Sequence, residues 1–266
     1  MSALSNALSV LQASSVKGKC EAASYLAKQW QHNKIVSPIT TNLPDNPGRP
    51  ETPTLVSPSH VPRRRLGSVA GRAALLHAVA HIEFNAIDLA ADMIVRFGLH
   101  PDIAKSQRED FIEDWISVCH DEARHFMMLE NRLHDLDIHY GSLPAHNGLW
   151  EAAIKTKDNF AARLAIAPMV LEARGLDVTP GMIKKLNKIG DLESASILKT
   201  IYNDEIDHVA IGAKWFKVLA ESKNKRPEQY FHKLVSEFYT GHLKPPFNVQ
   251  ARTLAGLKQG FYMPLT

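Results

Sequence analysis

Two segments of the sequence carry the same pattern, Asp-Glu-x-x-His, at residues 121–125 and again at 204–208. A helix turns once in about 3.6 residues, so the Glu and the His of each copy lie on one helix face. Each face is otherwise largely apolar, which indicates that acid and imidazole groups point into a helical core. The neighbours on the two faces are Phe111, Trp115, Val118, Cys119, Phe126, Leu129 and Leu133, and Leu198, Ile201, Tyr202, Val209, Gly212, Phe216 and Leu219.

Long helices surround both copies of the pattern. Hydrophobic spacing and the positions of glycine and proline predict four long helices and three shorter features. The long helices cover about 68–97, 106–136, 148–174 (closed by Gly175) and 192–221. The shorter features are helices near 17–32, 180–189 and 227–239. Residues 36–62 are proline-rich and predict an extended strap, because proline disfavours helix both at its own position and before it.

These elements predict an all-α fold, because no stretch of comparable length alternates as a strand. We expect a four-helix bundle at residues 68–221, where sites are built from side chains on facing helices. An N-terminal helix and the strap would form residues 1–67. A helical extension with an irregular tail, packed on the bundle, would form residues 222–266.

Two further glutamates extend the pattern. Glu83 in the first long helix and Glu172 in the third also lie on apolar faces. An isolated buried carboxylate costs several kcal/mol or changes its pKa, so a group of them requires compensating positive charge. Buried salt bridges are the alternative, but these faces carry no Lys or Arg apart from Arg132 at one edge. The predicted metal ligands are Glu83, Glu122, His125, Glu172, Glu205 and His208.

Carboxylate oxygens with one imidazole per ion suit iron or manganese better than copper. Glu plus Glu-x-x-His, twice over, is the ligand set of di-iron and di-manganese carboxylate bundles. It also reveals an internal duplication, in which helices one and two repeat as helices three and four. We therefore expect two iron ions, with Mn/Fe and Mn/Mn pairs as alternatives.

Four residues next to the predicted ligands could assist them. Asp121 and Asp204 are predicted to accept the free N–H of a ligand imidazole, with plain solvated carboxylates as the alternative. Tyr202 could be a redox partner or a donor to a metal-bound group, and a core tyrosine with a satisfied hydroxyl is the alternative. Cys119 could likewise be a redox or site-lining residue, and a small buried core residue is the alternative.

Basic and polar side chains also group outside the predicted ligands. Arg63, Arg64, Arg65 and Arg72 could grip a phosphate or carboxylate of a small-molecule substrate, with surface solvation as the alternative. No RNA-binding module with interleaved aromatic residues accompanies them, so nucleic acid is not an expected partner. A polar stripe on helix one is predicted to pack against the strap or against a second copy in a homodimer. Its members are His77, His81, Asn85, Asp88 and Asp92.

Proline and cysteine add two expectations. Pro168 inside helix three should kink that helix or free a carbonyl one turn before Glu172, and so shape access to the metals. Two cysteines cannot form a disulfide framework, no apolar run is long enough to cross a bilayer, and the first residues are unlike a signal peptide. We therefore expect a cytoplasmic protein.

The six ligands and their spacing resemble the ferritin-like di-iron carboxylate superfamily over residues 68–221. Several runs also resemble an uncharacterised bacterial family of ferritin-like proteins of unknown function. They are LGSVAGRAALLH at 66–77, HIE at 81–83, DEARHF at 121–126, EARGLDVTP at 172–180 and PPFN at 245–248. The wider superfamily includes oxygen-activating hydroxylases, a tRNA-modifying hydroxylase, radical-forming oxidases, peroxide reductases and iron-storage proteins.

The first functional hypothesis is a di-iron oxidase or monooxygenase that uses dioxygen to oxidise or hydroxylate an organic substrate. A separate reductase or ferredoxin would supply electrons, because the sequence has no Gly-rich dinucleotide loop and no cysteine cluster. Ferroxidase or other iron-handling activity is the second hypothesis, and a tRNA-modifying hydroxylase is a further one. In a non-enzymatic alternative, the metals only stabilise the bundle.

Overall fold

The computed structural model describes residues 1–61, 66–240 and 242–266, and the fold is all-α. Within the described residues, strand-like pairing is limited to one parallel bridge between Leu55 and Ala145. The α-helices are α1 (Ala3–Gln12), α2 (Val16–His32), α3 (Val69–Phe97), α4 (Arg108–Asp135), α5 (Gly148–Lys155), α6 (Phe160–Ile166), α7 (Ala173–Lys188), α8 (Leu192–Ser222), α9 (Pro227–Phe238), α10 (Val249–Leu254) and α11 (Gln259–Tyr262). None of the described helices combines the length and apolar character that a membrane span requires.

The chain forms two compact units, unit 1 (Met1–Trp150) and unit 2 (Glu151–Thr266). In unit 1, α3 and α4 pack along each other, and α1 and α2 pack on this pair. The side chain of Ser68 caps the start of α3 by accepting the N–H of Gly71 at 3.1 Å, which satisfies a donor of the first turn. The first two predicted long helices are confirmed within two residues at each end.

The polar stripe of α3 packs against the strap and against α2. Arg49 of the strap donates to Asn85 Oδ1 at 2.7 Å and lies 3.2 Å from the carboxylate of Asp88. Lys19 of α2, which is fully buried, pairs with the same carboxylate. The predicted contact between stripe and strap is confirmed, and α2 is an additional partner. The strap itself is extended apart from a short 3-10 turn at Pro58–His60, and its predicted last residue, Pro62, lies outside the described residues.

Two histidines of the stripe hold the loop that follows α4. His81 Nδ1 lies 2.7 Å from the hydroxyl of Tyr140, and His77 Nε2 accepts the backbone N–H of Gly141 at 3.0 Å. Burial lowers the pKa of both imidazoles to about 4, and the nearby Arg49 guanidinium also lowers that of His81. Both rings are therefore neutral at physiological pH.

In unit 2, α8 confirms the fourth predicted helix, and α6, α7 and α9 pack against it. The third predicted helix, drawn as one element from 148 to 174, is wrong. Its chain forms α5, then α6 capped by Asn159, then a π-helical segment at Ala167–Glu172, and then α7. The small helix predicted at 180–189 is the second half of α7.

Tertiary contacts explain how the chain stays helical through Pro168 and Pro180. Pro168 lacks a backbone N–H, so it cannot donate a helical hydrogen bond. It is the second residue of the π segment, in which the helix widens. Gly212 of α8 lies so close that an added Cβ would overlap the Pro168 ring. Pro180 leaves the carbonyl of Leu176 without its helical donor, and Asn248 Nδ2 donates to that carbonyl at 3.2 Å.

Both ends of the chain contain more helix than the sequence indicated. The predicted helix at 227–239 is confirmed as α9, but the predicted irregular tail contains α10 and α11. At the other end, α1 precedes the predicted helix 17–32, and Ser2 caps it by accepting the N–H of Ser5. The short α10 and α11 are too brief for a hydrophobic period to be recognised.

Candidate metal centre

Unit 1 brings two carboxylates and an imidazole together between α3 and α4. Glu83 comes from α3, whereas Glu122 and His125 come from neighbouring turns of α4. One ligand atom from each of these residues lies within 4.8 Å of the others. His125 Nδ1 is 3.2 Å from Glu83 Oε2 and 3.6 Å from Glu122 Oε2. Glu122 and His125 are fully buried, and Glu83 is 4% exposed.

Packing between the two helices sets this geometry. The three-residue spacing places Glu122 and His125 on the face of α4 that meets α3. Phe84 and Phe126 each follow a ligand in sequence, and their ring centroids lie 5.2 Å apart. Because these rings interlock beside the cluster, they fix the level at which Glu83 faces His125.

The cluster perturbs the ionisation of its own imidazole. Burial lowers the pKa of His125, but hydrogen bonds to Glu122 and Glu83 and the charges of these carboxylates outweigh that effect and raise it to about 11. In the metal-free chain, a proton on His125 therefore balances part of the buried negative charge. Binding of a cation would require this proton to leave, because a metal ligand must be a neutral imidazole.

The donor types, and the distances from His125 to the two glutamates, fit a metal ion. Two ligands of one first-row ion lie at most about 4.2 Å apart, which is twice a bond of about 2.1 Å. Both carboxylate–imidazole distances of the cluster are below this limit. Carboxylate oxygens and an imidazole nitrogen are donor types that bind divalent metal ions in proteins.

Unit 2 reproduces half of this arrangement on α8. His208 Nδ1 lies 3.4 Å from Glu205 Oε1, so the imidazole faces the glutamate of its own motif, as in unit 1. His208 is buried and Glu205 is half-buried. Glu172 is the last residue of the π segment, which packs against α8, and it is also half-buried. That all six ligands serve one pair of ions stays a prediction.

Three of the residues predicted to assist the ligands have described contacts of other kinds, and the predicted roles of Asp121 and Asp204 stay predictions. Asp121 is partly exposed and forms a 3.0 Å ion pair with Arg124, and Asp204 is half-buried. Cys119 is fully buried, its thiol donates to the carbonyl of Ile87 at 3.7 Å, and burial raises its pKa. Tyr202 accepts a hydrogen bond from Asn248 at 2.9 Å, which matches the alternative of a satisfied hydroxyl.

The predicted anion-binding arginines fall in two groups. Arg63, Arg64 and Arg65 lie outside the described residues. Arg72 lies in the first turn of α3, about 16 Å along the helix axis from Glu83. That separation is about three helical turns, so Arg72 is not a neighbour of the cluster along α3.

Sequence reasoning missed a buried polar network in unit 2. Asp177 on α7 forms a bidentate ion pair with Arg252 on α10, and Asn248 links the same region to Tyr202. The runs at 172–180 and 245–248 contain two of these four residues, Asp177 and Asn248. Their spacing matches no metal or catalytic pattern, so no role could be assigned from sequence.

Comparison with known proteins gives a family but no activity. The family model described as "Protein of unknown function (DUF455)" matches residues 12–263. A relative from Haemophilus influenzae, described as an uncharacterized protein, is 40% identical over 210 residues, which are 79% of this chain and 73% of the relative. No solved structure gives a significant match.

Proposed function

We propose that this chain, which belongs to the DUF455 family of proteins of unknown function, binds metal ions through its Glu and Glu-x-x-His residues. The observation that carries this proposal is the buried cluster of Glu83, Glu122 and His125, with ligand atoms within 4.8 Å. Two carboxylates beside one imidazole are costly to bury, and a divalent cation offsets that cost more fully than a single proton.

The repeated motif supports a pair of ions. In each unit Nδ1 of the motif histidine lies near the glutamate of the same motif, at 3.4 Å in unit 2 and 3.6 Å in unit 1. Glu172 precedes the second motif on the preceding helical segment, as Glu83 precedes the first. We assign the pair to iron, with manganese as a substitute at either position, because the donors are oxygen and imidazole. This proposed ligand set resembles that of the ferritin-like di-iron carboxylate proteins.

The activity we propose is oxidation of an organic substrate with dioxygen. A bound pair of ferrous ions would supply the electrons and coordination positions that dioxygen reduction requires. Glu83 and Glu122 would hold the ions, and His125 would release its proton on binding them. The buried rings of Phe84 and Phe126 would limit the access of water to the cluster. Electrons for further turnovers would come from a separate donor protein.

Anaerobic loading with ferrous iron, followed by rapid mixing with dioxygen, tests this proposal. We expect wild-type protein to give a transient visible absorption band and Glu122→Gln to lose it. Glu113→Gln is the matched control, because Glu113 lies on the exposed side of the same helix α4, where it pairs with Lys34. Bound iron that never reacts with dioxygen would contradict oxidation chemistry and favour a stabilising metal. Catalytic uptake of excess iron would favour ferroxidase activity.

A further inference from the structure

The first turn of α7, which directly follows Glu172, is bound to the C-terminal part of unit 2. Arg174 donates to the carbonyls of Lys244 and Pro246 at 2.6 and 3.1 Å. Arg252 Nη2 donates to the carbonyl of Ala173, the residue after Glu172, at 3.3 Å. The backbone that carries Glu172 into α7 is therefore held from outside its own helix.

Asp177 is the centre of this attachment. Its Oδ1 accepts the backbone N–H of Asn248 at 2.9 Å and Arg252 Nε at 2.8 Å, and its Oδ2 accepts Arg252 Nη2 at 2.7 Å. Arg252 is 2% exposed, and its guanidinium lies 5.1 and 4.6 Å from the ring centroids of Phe247 and Tyr262. A bidentate, charge-assisted pair that is packed beside two aromatic rings has little freedom to move.

Asn248 extends the attachment from α7 to α8. Its Nδ2 donates to the carbonyl of Leu176 on α7 at 3.2 Å and to the hydroxyl of Tyr202 on α8 at 2.9 Å. Its Oδ1 accepts the N–H of Ala251 and so caps α10. Both protons and the oxygen of the amide are engaged, so the side chain has one orientation. Tyr202 lies one turn before Glu205, on the same face of α8.

We propose that Asp177 and Asn248 are positioning residues for the metal ligands of unit 2. Together they fix the first turn of α7 against α8, and thereby fix Glu172 relative to Glu205 and His208. Glu172 needs this support because it lies in the π segment. Glu83 in α3 is positioned by the regular hydrogen bonds of an α-helix, which the wider turn of the π segment does not supply. This inference rests on the proposed metal-binding function.

The decisive variant is Asn248→Ser. Serine retains an acceptor for the cap of α10 but removes both amide donations, to Leu176 and to Tyr202. The matched control is Asn159→Ser, because Asn159 caps α6 by accepting the N–H of Ala162 and has no described bond to α7. Tyr202→Phe is a second variant that removes one bond of Asn248 and keeps the aromatic ring.

The three variants are compared with wild type by Co²⁺ titration and by hydrogen exchange. Titration of the metal-free proteins with Co²⁺ under anaerobic conditions reports ligand geometry through visible absorption. We expect Asn248→Ser to weaken the binding of one of the two Co²⁺ ions by about tenfold or more. Tyr202→Phe should weaken it by a smaller factor, and Asn159→Ser should bind Co²⁺ like wild type. Hydrogen exchange of the metal-free proteins should show faster exchange of amides 173–178 in Asn248→Ser alone.

The outcomes separate this inference from the proposed function. Wild-type protein that binds no Co²⁺, ferrous iron or Mn²⁺ would overturn both. Normal Co²⁺ affinity and spectrum in Asn248→Ser would overturn the positioning role and leave metal binding intact. Equal losses in Asn248→Ser and Asn159→Ser would also overturn it, because the effect would then come from helix capping in general. If amides 173–178 exchange at the wild-type rate in Asn248→Ser, Asn248 does not fix the first turn of α7.

Discussion

The two units carry the same ligand pattern on backbones of different regularity. In unit 1, Glu83 and the pair Glu122/His125 lie on two regular α-helices that pack along their length. In unit 2, the Glu-x-x-His pair lies on the regular helix α8, but Glu172 is the last residue of the π segment that contains Pro168. The side chain of Glu205 is 13% exposed, whereas that of Glu122 is fully buried.

This difference shows how one ligand set can be supported in two ways. Regular helices in unit 1 fix the ligands through their own hydrogen bonds and through ring packing at Phe84 and Phe126. The distorted helix in unit 2 depends on Asn248 and Arg252, which come from a later part of the chain. We therefore expect the ligands of unit 1 to be the better preorganised set, and those of unit 2 to be the more adjustable set.

Removal of equivalent glutamates gives the largest expected contrast. Glu122→Ala should weaken metal binding by more than about 100-fold, because Glu122 is fully buried and a replacing water would have little access to its position. Glu205→Ala should cost only about tenfold, since partial exposure lets water supply the missing oxygen. Equilibrium titration with Mn²⁺ measures both. Equal losses in the two variants would remove the proposed difference in preorganisation.

Acidification should destabilise unit 1 through His77 and His81. Burial, aided by Arg49 at His81, lowers their folded-state pKa from 6.5 to about 4, so below pH 6.5 the unfolded chain binds protons that the folded chain does not. Stability should be unaffected above about pH 7 and should fall between pH 6.5 and 4, by up to about 3 kcal/mol per histidine.

Urea unfolding as a function of pH tests this expectation. His77→Gln retains an acceptor for the N–H of Gly141 but does not titrate, so it should unfold with a shallower pH dependence. The exposed His120 on α4 offers a control, and His120→Gln should follow the wild-type curve. A wild-type unfolding free energy that stays constant from pH 7 to 4 would refute the assignment.

The contact between Gly212 and Pro168 gives the smallest expected effect. Gly212→Ala would place a Cβ against the Pro168 ring and should destabilise unit 2 by about 1–3 kcal/mol. Gly175→Ala is the matched control, because its Cβ would meet open space inside α7 and should stabilise by about 0.5–1 kcal/mol. Chemical denaturation compares them, and a neutral Gly212→Ala would show that the π segment can move without penalty.

The sequence predicted the regular helices, and three of the predicted ligands, Glu83, Glu122 and His125, come together in the structure. The extents of α3, α4 and α8 followed from long apolar faces and from the positions of glycine and proline. The cluster of Glu83 with Glu122 and His125 followed from the acidic residues on those apolar faces, because buried carboxylates require compensating positive charge.

The rest depended on contacts that no local pattern encodes. Gly175 and Pro180 resemble stop signals, but α7 continues because Asn248, about 70 residues later, supplies the donor that Pro180 lacks. Pro168 indicated a disturbance, and only its packing against Gly212 relates that disturbance to a π segment. The pair Asp177/Arg252 was missed for the same reason, since its two members lie on separate helices.

The central claim is that both units use these acidic helix faces to hold metal, and metal content tests it most directly. Protein purified after growth with ample iron and manganese should contain about two ions per chain by elemental analysis. Glu83→Ala and Glu172→Ala should each lower that content, and the double variant should contain almost none. Metal-free wild-type protein, or an unchanged metal content in the double variant, would contradict the claim.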